Sequence, residues 1–169
     1  MKTLVALTVC GLLSPVVFAA DQGSAQGKYL EEVAKHWKNL RDLTLAVADA
    51  MPAEDYSFKP NAEEMSFGEQ IAHIGLANAN YFSSIAGTKS PFSKPAAYDK
   101  TAVTKLAADS FDYCAKILAD LKDSDPDRMA GSVTVRERLL GAFVHTAHHR
   151  GQAEVYLRVK NIKPPAYKF

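Results

Sequence analysis

Cysteine is nearly missing from this chain of 169 residues, which has only Cys10 and Cys114. Cys10 lies in an N-terminal stretch expected to be removed, and the one cysteine left cannot form an internal disulfide, so a disulfide framework is excluded. An excess of one charge is also lacking, with 20 lysines and arginines against 19 aspartates and glutamates. Nucleic-acid binders normally carry a basic surplus, so this balance argues against a nucleic-acid partner. There is no internal repeat and no low-complexity tract. Strand signals are weak, because apolar residues seldom alternate and the periodic segments are too long for ordinary strands.

Long apolar runs are confined to the start. Met1-Lys2 is a short basic opening, Leu4 to Leu13 is almost wholly apolar, and Val17-Phe-Ala-Ala20 offers small residues for cleavage. The run is shorter than the roughly 20 residues of a membrane span and reads as a secretory signal peptide over residues 1–19. Cleavage after Ala19 is preferred, because a cut after Ala20 would put bulky Phe18 three positions before it. Val9, which is not small, argues against lipid attachment at Cys10. The expectation is a periplasmic or secreted protein without stable membrane insertion after cleavage. Residues 20–27 read as a flexible lead, and residues 28–169 as one domain with a single core.

Four segments of the mature chain carry helical periodicity. In the first, Leu30, Val33, Ala34, Trp37, Leu40, Leu43, Val47 and Met51 recur at three- and four-residue steps from Lys28, and Pro52 ends it. Ser66-Phe-Gly-Glu69 reads as a capping box opening a helix to about Ala86. A third fits Thr101 to about Lys122. Thr134-Val-Arg-Glu137 is a second capping box, opening a helix to Lys160 or Asn161. No single helix can bury its stripe alone, so an all-α four-helix bundle is expected. Its connections 52–65 and 87–100 are long and contain proline, unlike tight hairpins, and loops of that kind often roof a site.

Histidine carries the chemical signal. His145 and His149 stand four residues apart, a rotation of about 400° along a helix, so they share one face within roughly 40°. His73 lies upstream on another helix. Three neutral imidazoles converging on one point can hold a divalent metal and leave positions open. On the fourth helix, His145, His149, Gln152 and Tyr156 form one continuous line at 0, +4, +7 and +11, within a wide arc of apolar residues. Such a line on a well-buried helix requires partners, metal or water. On the second helix, His73, Ala77, Asn80 and Ser84 form a line that can border a cleft. Read from that helix alone, His73 is more simply a solvated surface residue. Asn78 interrupts the apolar stripe and reads as a buried amide bonded to a neighbouring helix.

Other metal signatures fail. The zincin motif needs Glu after its first His, where Thr146 stands. Di-iron bundles need Glu-x-x-His pairs that neither His145 nor His149 supplies. Glu69 is accounted for by capping, Cys114 lies on an apolar stripe where thiols are inert, and His148 is turned about 100° from His149. His36 has a structural or surface role.

Taken in order, Tyr56-Ser-Phe-Lys-Pro60, Ser66-Phe-Gly-Glu-Gln-Ile-Ala-His73, His145-Thr-Ala-His-His-Arg-Gly-Gln152 and Pro164-Pro-Ala-Tyr167 resemble the DinB family of metal-binding four-helix bundles, over essentially the whole mature chain. The resemblance implies a metal site of His73, His145 and His149, with zinc or nickel the first choices of ion. It implies activities such as those of thiol-dependent transferases and isomerases. Family members are typically cytoplasmic, whereas this chain carries the marks of export, and an oxidising compartment is at odds with a cytosolic thiol cosubstrate.

The leading expectation is an exported metal-dependent hydrolase or thiol-type transferase acting on a small molecule. Asn80, Gln152 and Tyr156 are candidates to support the ligands or touch substrate, and Arg150 either binds an anionic group or is an exposed or salt-bridged surface residue. No residue stands out as a general base. The alternative is a non-catalytic metal sensor, carrier or buffer of the cell envelope. A third reading has no metal, only a bundle that forms a homodimer through its helix faces.

Overall fold

A computed structural model describes residues 22–167, with side chains from residue 28 onward. The expected signal peptide lies outside these residues. Four long helices dominate: α1 (Gln22–Ala50), α2 (Phe67–Ala86), α3 (Lys100–Ala119) and α4 (Val135–Val159). Both α1 and α2 pack against α3 and α4, so α1 and α2 face each other across the diagonal of an all-α bundle. That diagonal is the reason the first connection is long: a tight hairpin would make its two helices neighbours.

The capping chemistry fixes where the site-bearing helices begin. Ser66 accepts the Glu69 amide at 3.2 Å, and the Glu69 carboxylate accepts the Ser66 amide at 2.7 Å, closing the expected box. Thr134 accepts the Glu137 amide at 3.2 Å, but the Glu137 side chain stands exposed, so only half of the second box forms. A cap of this kind stabilises a helix by about 1 kcal/mol.

Some boundaries differ from the periodicity. Helical backbone begins at Gln22, ahead of the apolar stripe and within the lead expected to be flexible. Once the packed part of a helix exists, adding residues to its end costs little. The third helix stops at Ala119 instead of Lys122, because the Asp125 carboxylate takes the Lys122 amide at 2.8 Å and turns the chain. Between α3 and α4, a two-stranded ribbon pairs β1 (Met129–Ala130) with β2 (Val133–Thr134). Gly131, at φ +74°, makes its tight turn, a conformation that side chains rarely adopt.

The core separates into two clusters along the bundle. One gathers Trp37, Ile74, Phe82, Phe111 and Leu139; the other gathers Met51, Tyr56, Phe67, Ile71, Tyr156 and Leu157. Trp37 anchors the first, its ring 4.6 Å from Phe82 and 5.2 Å from Phe111. Losing such a ring costs about 3–5 kcal/mol. On α2 the boundary between the clusters falls at Ala72 to Ile74, and on α4 between Ala142 and Ala153. His73, His145 and His149 lie in that gap. The fully buried Gln70, Asn78, Ser110 and Thr146 are polar residues at or beside the same level.

One expectation about α4 is corrected. Leu140 is 62% exposed and Val144 60%, with Val155 and Val159 also outward, so the apolar arc is only partly buried. The helix packs on α2, α1 and the ribbon between α3 and α4, and these contacts leave the four residues outward among the described residues.

A three-histidine centre between the second and fourth helices

Helix α2 presents His73 and α4 presents His145 and His149, one turn apart. One ring nitrogen from each lies within 4.8 Å of the others. The Nε2 atoms of His73 and His145 are 3.1 Å apart, and the ring centroids stand 4.4 to 4.9 Å from one another. Partial burial at the seam, with no carboxylate in the group, keeps the rings neutral. All three titrate below the ordinary histidine range, first because burial penalises the charged form. His149 is lowered to about 4, with the charges of His145, His73 and His148 adding to the effect of burial.

A hydrogen-bond relay orients His149. Its Nδ1 lies 2.8 Å from the side-chain oxygen of Gln70. The Gln70 amide nitrogen donates to the Tyr156 hydroxyl at 3.4 Å, and that hydroxyl donates to the Met65 carbonyl at 2.8 Å. Directions follow from the far end. A carbonyl only accepts, so Tyr156 donates to it and its oxygen is free to receive the Gln70 N–H. The oxygen of Gln70 must then accept from His149, which puts the proton on Nδ1 and leaves the Nε2 lone pair facing the other rings.

The same seam is tied by Thr146, whose hydroxyl donates to the Asn78 oxygen at 2.8 Å, both residues being fully buried. This is the interhelical amide contact expected for Asn78. Beside His145 a cleft of about 340 Å³ opens between α2 and α4, lined by Ala77, Asn80, Tyr81, Arg138 and His145. Gly141 makes room for the Tyr81 ring, from which a Cβ there would stand 3.0 Å.

The other sequence-derived candidates divide. Asn80 lines the cleft. Tyr156 is 3% exposed and serves the relay, out of reach of solvent. Gln152 follows His149, and its side chain reaches that ring, an interaction that opposes the lowering by burial. Arg150 is turned away from the rings; it pairs with Glu154 at 3.3 Å and lines a groove between α1 and α4 with His36 and Tyr167. A single residue step turns a helix by about 100°, which carries Arg150 off the ligand face. His148 is exposed and meets His149 edge-on. Burial pushes the Cys114 thiol far up its range, in line with an inert core residue.

Sequence reasoning missed two contributors. Gln70 sits one turn before His73, and its polarity inside an apolar stretch was the available signal. Arg138 precedes His145 by two turns, on the N-terminal extension of the line through His145, His149 and Gln152.

The donor set suits a divalent ion. Three imidazole nitrogens without a carboxylate match zinc, nickel or copper better than magnesium or calcium. Two facing Nε2 atoms share at most one proton, whereas a cation serves both lone pairs. The buried Nδ1 of His145 also lacks a partner among the described residues, an uncommon condition outside functional sites.

Comparison with known proteins agrees with the fold. The chain is 29% identical over 136 residues to the uncharacterized protein YjoA of Bacillus subtilis (strain 168), covering 75% of this chain and 88% of that one. The crystal structure of YjoA, described as a DinB-like protein, superposes with a TM-score of 0.70 at 27% identity, covering 81% of this chain and 98% of the other. A DinB-like protein from Bacillus cereus ATCC 10987 shares the fold, with a TM-score of 0.68 at 19% identity over 82% of this chain and 97% of its own. The sequence pattern of the DinB superfamily matches residues 36–153, and the chain belongs to that superfamily.

Proposed function

We propose that this protein is an exported metal-dependent enzyme, a hydrolase or a thiol-type transferase, whose ion is held by His73, His145 and His149. The observation that carries the reading is the convergence of three neutral imidazoles, one with its tautomer fixed and one, His145, lining an open cleft. Zinc or nickel is the ion we propose. When bound, it would supply Lewis-acid chemistry, lowering the pKa of a coordinated water or thiol. The chain's own contribution is to keep the imidazoles neutral, hold His149 in one tautomer and leave one side of the site accessible to a small molecule.

One observation favours a second reading, a non-catalytic metal carrier, sensor or buffer. The cleft lining holds no carboxylate and no histidine besides His145, so no general base stands ready there. Elemental analysis of untagged protein purified from the cell envelope tests both. We expect about one equivalent of zinc or nickel per chain, lost in His145→Ala while the helical circular-dichroism spectrum is kept. No retained metal together with no uptake of added zinc or nickel would remove both readings. Recovery of the protein solely from the cytoplasm, with Met1 intact, would remove export.

The outward apolar residues of α4 support a homodimer, in which a second copy covers Leu140, Val144, Val155 and Val159. A molar mass equal to the monomer at micromolar concentration would refute it.

A further inference from the structure

We infer that Arg138 is the anion-recognising residue of the cleft beside the histidines. On this reading the protein takes a small organic acid whose carboxylate pairs with Arg138 while a donor at its other end reaches the metal. The inference rests on the metal-site reading above and adds the class of substrate.

Arg138 stands apart from the other arginines. Arg41, Arg128, Arg136, Arg150 and Arg158 each face a carboxylate within 4 Å. Among the described residues Arg138 faces none. Its Nε donates to the Ala130 carbonyl at 3.3 Å, which anchors the guanidinium plane on the ribbon without neutralising its charge. Charged groups are costly to hold half-buried without a counter-ion, so an unpaired, anchored guanidinium is a ready partner for a carboxylate.

Its placement fits that use. Arg138 and His145 are seven residues apart on α4, which puts them on one face and about 10 Å apart along the helix axis. Both line the same cleft, with the other walls made by Ala77, Asn80 and Tyr81. No acidic residue lines it, so Arg138 and a bound cation would both attract an anion. Asn80 and Tyr81 add uncharged hydrogen-bonding groups between the two ends. A volume of about 340 Å³ suits a small molecule. An acid with its metal-seeking atom and its carboxylate several bonds apart spans the distance.

The test uses cobalt-loaded full-length mature protein and two probes of equal length, 6-mercaptohexanoate and 6-mercaptohexanamide. Thiolate binding is read from the cobalt charge-transfer band, and affinities from its titration. We expect the acid to bind at least about tenfold more tightly than the amide. In Arg138→Gln the two should bind alike, with cobalt content and affinity for the amide unchanged. Arg138→Lys should recover part of the preference. Equal affinities in the wild type, no band with either probe, or a preference surviving in Arg138→Gln would each overturn the inference while leaving the metal reading standing. Failure to take up cobalt at all would remove both together. The wild-type comparison decides the matter even if a variant fails to fold.

Discussion

His149 and Gln70 come from different helices and are joined at 2.8 Å, and the direction of that bond is dictated by a backbone carbonyl, that of Met65, on the far side of Tyr156. The first inter-helix connection thereby sets the protonation pattern of a residue on α4. Removing the relay should weaken metal binding without abolishing the fold. Gln70→Leu leaves Nδ1 of His149 without its acceptor, and a loss of about 10–100-fold in metal affinity is expected. Tyr156→Phe should cost less, because Gln70 keeps its bond to His149. The double variant should lose less than the sum of the two, since both act through one chain. Chelator-competition titrations measure all three. Additive losses would mean that the residues act separately.

Acid should act on the same rings. Each histidine of the triad has a folded-state pKa below its unfolded value of 6.5, with His149 near 4. Between those values the unfolded chain binds more protons than the folded one, so stability rises with pH across that window and falls as pH drops through it. The metal-free protein should therefore melt at a lower temperature at pH 4.5 than at pH 7. His149→Gln should flatten that slope. Bound metal should dissociate over the same range, because protons compete for the lone pairs. A metal-free melting temperature independent of pH from 7 to 4.5 would contradict the burial argument.

Much of this was legible in the sequence, and the misses share a cause. The bundle and the helix starts follow from apolar periodicity and from Ser66 and Thr134, which are local signals. The triad was legible because His145 and His149 repeat at helical spacing, although nothing local says that His73 meets them. Gln70 was not legible as a partner of Tyr156, 86 residues away, because its role depends on how two helices are placed against each other. Of the two roles open to Arg150, the ion pair is the one seen, at 3.3 Å from Glu154, and the choice between them depends on side-chain neighbours that sequence order does not give. The outward placing of Leu140, Val144, Val155 and Val159 depends on which neighbours α4 has, and composition does not contain that.

Thr146 separates the seam from the site. Its hydroxyl bonds the buried Asn78 oxygen, so Thr146→Val would leave a buried acceptor unpaired at nearly constant volume. We expect a loss of about 1–3 kcal/mol in urea unfolding. Metal stoichiometry should stay at the wild-type value, since the three rings keep their own supports. Loss of metal at unchanged stability would mean that the hydroxyl acts on the centre itself.

Two glycines should respond oppositely to the same substitution. A Cβ at Gly68 would stand 2.1 Å from the backbone oxygen of Tyr98, where the second long connection crosses the start of α2. A backbone atom cannot rotate aside, so either the connection lifts or the first turn of α2 shifts. Gly68→Ala should therefore cost about 1–3 kcal/mol or more. Gly68 also donates its amide to the Tyr56 carbonyl at 2.8 Å, so a shift would loosen the connection carrying Met65 and weaken the relay to His149. Gly151 lies in the interior of α4, and nothing within 4 Å would meet its Cβ. Gly151→Ala should stabilise by about 0.5–1 kcal/mol through helix propensity, with metal affinity unchanged. Thermal melts and chelator titrations on both variants test the pair, and a Gly68→Ala protein as stable as wild type would show that the connection is not pinned there.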